Sequence, residues 1–103
     1  MAYTLTSIGA LEERVMALDA DTGKVVLRGR EEIRAAHARF LRLCPKARIE
    51  VRERSYQERG RIVNDAERVH CGRAPPVDGW VRYEIAEGTI VRVLKHASPP
   101  FGG

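Results

Sequence analysis

The spacing of hydrophobic and polar positions along the chain changes twice, and each change marks a different kind of element. Leu5, Ile8 and Leu11, followed by Glu12 and Glu13, outline a short helix capped by Thr6 or Ser7 and weakened by Gly9. Arg14 to Ala20 then predicts a strand, and Asp21-Thr22-Gly23 a turn with glycine where positive φ is cheap. Lys24 to Arg28 is a second extended run, rich in β-branched residues, so the two form either a hairpin or one bent ribbon.

From Arg30 to Cys44 the period becomes helical. Ile33, Ala36, His37, Phe40, Leu41 and Cys44 recur on one stripe. Glu31 and Glu32 occupy the first turn, where the helix dipole favours anions, Arg39 and Arg42 lie late, and Pro45 stops the helix. Beyond it the period falls to two. Ala47 to Gln57 places Ile49, Val51 and Ser55 on one face and Arg48, Glu50, Arg52 and Arg54 on the other. Glu58-Arg59-Gly60 turns the chain, and Arg61 to Cys71 alternates again. After a loop over Gly72 to Gly79, Trp80–Ala86 and Thr89–His96 form strands joined by a tight Glu87-Gly88 turn. A helix followed by a four-strand meander makes an α+β fold with a curved antiparallel sheet. The pattern gives a single domain over residues 1–96 and a frayed Pro/Gly-rich tail over residues 97–103.

Composition narrows the partners. The 103 residues carry 18 basic and 14 acidic groups, a net charge of +4. The cations are interleaved with glutamates, as in Arg30-Glu31-Glu32-Ile33-Arg34, which describes a mixed solvated surface rather than a nucleic-acid footprint. No apolar run is long enough to span a membrane, and the N-terminus has no basic region leading into an apolar one. A soluble cytoplasmic protein is the expectation. Cys44 and Cys71 belong to no Cys-x-x-Cys pair and are expected as small buried hydrophobes rather than a disulfide, metal ligands or nucleophiles. No zinc, calcium or phosphate-loop spacing is present, so no metal or cofactor is expected.

Four segments resemble the nuclear transport factor 2-like superfamily, in its SnoaL-like, ketosteroid-isomerase-like branch. They are the strand with Asp21-Thr22-Gly23, the stretch from Leu27 to the helix ending at Pro45, Gly60 to Val69, and Val81 to Val93. The resemblance covers roughly residues 14–96 and implies a cystatin-like cone: a curved sheet wrapped on helix, a pocket in the concavity, and a homodimer through the outer sheet face. It also implies truncated N-terminal helices, because about thirteen residues precede the first matching strand. The catalytic positions of the steroid isomerases do not carry over. Ala20 falls at about the position of the base, flanked by Asp19 and Asp21, and Val81 falls near the oxyanion aspartate.

The remaining candidates stand on their own chemistry. Asp65 and Glu67 alternate with Val63 and Val69 on one strand face. They form either a cross-strand ion pair with Arg52 or Arg54, or a buried acid/base site with a raised pKa and Arg54 as an anion clamp. His37 projects from the apolar stripe of the helix, as a packed core residue or a proton carrier. Trp80 and Tyr83 take opposite faces of their strand, one lining the cone. The candidate catalytic set is Asp65, Glu67 and His37; the candidate ligand-binding set is Arg54, Phe40, Tyr83 and Trp80. The expected function is the binding of a small apolar molecule in the cone. The alternatives are an isomerase, hydrolase or dehydratase using the carboxylates, and a non-catalytic dimeric interaction subunit.

Overall fold

The computed structural model describes residues 11–97. The tail at 98–103 and most of the predicted N-terminal helix lie outside them. The end of that helix corrects the expectation: Leu11, Glu12 and Glu13 are already extended.

Six strands and one α-helix follow in the order β1 (Leu11–Asp19), β2 (Val25–Arg28), α1 (Gly29–Leu43), β3 (Arg48–Gln57), β4 (Ile62–His70), β5 (Val77–Ala86) and β6 (Thr89–His96), with a 3-10 turn over Glu58–Gly60 between β3 and β4. One sheet holds all six, ordered β2-β1-β6-β5-β4-β3. The fold is α+β, with a curved sheet packed on a helix. The sheet is mixed rather than wholly antiparallel, because β1 lies parallel to β6. Pattern alone could not show this: β1 and β6 stand at opposite ends of the sequence.

Local chemistry sets the corners. Asp19 Oδ1 accepts hydrogen bonds from the Asp21 and Thr22 amides at 2.8 and 3.2 Å, closing the β1–β2 hairpin. At the start of α1, Gly29 adopts φ +82°, and the Glu32 carboxylate accepts the Arg28 N–H at 2.8 Å. The Cys44 amide donates to the Phe40 carbonyl at 2.9 Å as the helix ends. Glu87 and Gly88 both have positive φ, as a type I′ two-residue hairpin requires.

The inner face of the sheet carries the core: Leu11, Val15, Ala17, Val63, Val81, Tyr83, Ile90 and Val93, with Leu27, Ile33 and Ile85 packed against it. A register shift between Val51 and Glu53 in β3 corrects the simple alternation. The extra residue, Arg52, breaks the period, so Val51 pairs with Glu67 and Arg54 pairs with Asp65. Arg54 therefore shares the inner face with Val51 instead of opposing it.

Cys44 and Cys71 are joined in a disulfide, their Cα atoms 5.7 Å apart. This overturns the expectation of two free, buried thiols. The residues are 27 apart in sequence, and only the fold brings the end of α1 beside the end of β4. Such bonds persist in oxidising surroundings and are rare where glutathione is reducing, which runs against a cytoplasmic location. Among the described residues, no helix is long and apolar enough to cross a membrane.

Candidate functional site

No residue of α1 is buried, although its apolar stripe faces the sheet. The reason lies beneath it. Between α1 and the sheet is a cavity of about 320 Å³, lined from the helix by Ile33, Ala36, His37 and Phe40. The sheet contributes Glu67, Val69, Val81, Tyr83, Val93 and Lys95. The stripe thus covers a hollow, although Ile33 also packs against the core.

Both β4 carboxylates point to this inner face, and both are buried, Asp65 at 2% exposed and Glu67 at 8%. They meet different neighbours. Asp65 accepts two parallel hydrogen bonds from Arg54, Nε to Oδ1 at 2.7 Å and Nη2 to Oδ2 at 2.8 Å. Bidentate guanidinium–carboxylate pairing of this kind fixes both groups. Asp65 is turned toward β3 and away from the cavity lining. Arg52, the other sequence candidate for this role, instead lies 4.0 Å from Asp78.

Glu67 has no such clamp. The Tyr83 hydroxyl donates to its Oε2 at 3.2 Å. Its partner on β5 is Gly79, which has no side chain and would meet nothing within 4 Å if a Cβ were added. That gap leaves open space beside the carboxyl. Burial pushes its pKa above the ordinary carboxylate value, and the nearby Asp65 pushes it further the same way. The Tyr83 hydrogen bond and the charges of Lys95 and Arg54 oppose this without reversing it.

His37 lines the same cavity, and its Nε2 is buried without a hydrogen-bond partner. A buried nitrogen left unpaired costs free energy that a bound polar group would recover. Phe40 and Tyr83 supply aromatic walls. Trp80 does not: it pairs with Ala66 and His96 on the outer face and lines no part of the cavity. This corrects its place in the ligand-binding set. The three-residue spacing separated Trp80 from Tyr83 but could not say which faced inward.

Lys95 was not among the sequence candidates, although it lies two residues from the inward Val93 on the same strand face. Ile49 and Ala36 were visible only as core positions. No group of three or more His, Cys, Asp or Glu side chains among the described residues could hold a metal ion.

No family model and no curated protein matches the chain by sequence. Solved structures do match it by shape. An uncharacterized cystatin-fold protein from Novosphingobium aromaticivorans superposes with a TM-score of 0.72 at 22% identity, covering 85% of this chain and 79% of that one. A candidate SnoaL-like polyketide cyclase from Jannaschia sp. CCS1 gives 0.71 at 14% identity, with 89% and 76% covered. A hypothetical protein of ketosteroid isomerase-like fold from Catenulispora acidiphila, solved in complex with trimethylamine, gives 0.67 at 16% identity, with 85% and 69% covered. Together with the curved sheet, the helix laid across it and the hollow between them, these likenesses show that the chain has a cystatin-like fold, of the kind seen in SnoaL-like and ketosteroid isomerase-like structures.

Proposed function

We propose that the protein binds a small, largely apolar molecule bearing one hydroxyl or carbonyl group in the cavity between α1 and the sheet. The observation that carries this reading is the pairing of an apolar hollow of about 320 Å³ with two buried polar groups that face it. That volume lies at the lower end of ordinary ligand pockets. Glu67, whose pKa is raised by burial, accepts a hydrogen bond when ionised and donates one when protonated, and the unpartnered His37 Nε2 accepts or donates according to its tautomer. A candidate polyketide cyclase of the same fold supports an organic ligand.

A fluorescence titration with 2-naphthol, a neutral bicyclic phenol, tests this. Saturable one-site binding is expected, weakened at least about tenfold by Ala36→Phe, which fills the cavity from the helix. Absence of saturable binding, or equal binding by a folded Ala36→Phe variant, refutes the reading.

A second reading has its own support: Glu67 and His37 differ in chemistry yet line one cavity, the arrangement acid–base turnover needs. Hydrogen exchange at the carbons beside the carbonyl of cyclohexanone, followed by NMR in D₂O, checks it. Acceleration by the native protein that Glu67→Gln removes supports turnover; no acceleration leaves binding alone.

A further inference from the structure

The Cys44–Cys71 disulfide stands beside the cavity rather than within the main core. Phe40, one helical turn before Cys44, lines the cavity, as does Val69, two residues before Cys71, and Ile49 at the start of β3. The rest of α1 is seated at its other end. Its N-terminus continues directly from β2, and its packing is concentrated on β1 and β2. With no buried residue along its length, the helix has little apolar packing to hold its C-terminal half against β3 and β4. Beyond the short loop into β3, the disulfide ties the end of the helix to the end of β4.

We infer that this disulfide is a redox latch on the cavity: oxidised, it holds the C-terminal half of α1 over the hollow; reduced, it releases that half and lowers ligand affinity. Cys44 is 4% exposed, whereas Cys71 is only partly buried, so the proposed attack falls on Cys71 Sγ. A thiolate of a small dithiol attacks it, and Cys44 leaves as a thiolate. The second thiol of the reductant then closes a ring disulfide and frees Cys71. Two electrons and two protons pass from the dithiol to the protein, which ends with two thiols. The effect on affinity rests on the binding reading above; the effect on the helix does not.

Amide hydrogen exchange of the full chain, with and without dithiothreitol, separates the two. Reduction is expected to speed exchange in residues 37–44 at least about tenfold while the amides around Val81, Tyr83 and Val93 stay protected. The Cys44→Ala/Cys71→Ala variant should show the fast pattern in both conditions, and 2-naphthol affinity should fall by a similar factor on reduction. Unchanged helix exchange overturns the latch, as does loss of protection throughout the sheet, which would make the bond a global staple. Helix release without any naphthol binding to the oxidised protein would uphold the latch on α1 and reject the proposed ligand site. Helix release with unchanged naphthol affinity would reject its control of binding.

Discussion

Asp65 and Glu67 lie two residues apart on one strand, on one face, both buried, and yet they do opposite things. Their Cα atoms are separated by roughly 6–7 Å of strand. Asp65 faces β3, where the register shift has turned Arg54 inward to meet it with two hydrogen bonds. Glu67 faces Gly79 and the hollow, with one phenol for company. The first is a fixed charge pair that organises the edge of the sheet. The second is a carboxyl whose burial is only partly compensated, the usual condition of a group available for binding or proton transfer. Neighbours on the adjoining strands, rather than residue type, separate the clamped carboxyl from the one that faces the cavity.

The largest effect that would break this contrast is Arg54→Ala. It leaves the Asp65 carboxylate, whose side chain is fully buried, without its bidentate partner. A loss of about 3–5 kcal/mol in urea unfolding at neutral pH is expected. A near-native midpoint would show that the pair is not the structural member of the two.

Phe40→Ala tests the hollow from the other side. Phe40 is only partly buried and already faces open space, so a loss of about 1–2 kcal/mol is expected, below the cost for an enclosed phenylalanine. A loss above about 3 kcal/mol would mean that the helix seals a packed core. Tyr83→Phe keeps the buried ring and removes only the phenol donor, for a cost of about 1 kcal/mol. Because that hydrogen bond holds the pKa of Glu67 down, its carboxyl should titrate still higher in the variant, as followed by NMR. An unmoved or lowered titration would remove Tyr83 as its partner.

The smallest expected effect is distinguished by its sign. A carboxyl with a raised pKa in the folded state binds protons that the unfolded chain has already released. Its favourable contribution is complete below the unfolded carboxylate value and is lost as pH rises toward the folded one. Glu67→Gln should therefore gain stability relative to the native protein as pH rises from about 4 to 7. The difference is read from paired unfolding curves. A relative loss over that range would place Glu67 with Asp65, among the charges that the fold requires.

Much of this architecture is written in local pattern. The helical stripe from Ile33 to Cys44, the β-branched alternation of the later strands and the Glu87-Gly88 turn each rest on interactions within a few residues, so sequence spacing exposes them. The same alternation placed Asp65 and Glu67 on a common face and set Trp80 against Tyr83. What the tertiary structure alone decided depends on contacts between distant segments. The parallel seating of β1 on β6 and the disulfide between the ends of α1 and β4 are of this kind. So is the hollow that leaves the helix half-covered. The extra residue in β3 is the clearest case: one break in a period of two carried Arg54 to the inner face. A strict alternation cannot announce its own interruption, because pairing with a neighbouring strand defines the register. The chain's local chemistry specified which elements form; their long-range packing decided which carboxyl was clamped and which was left facing the cavity.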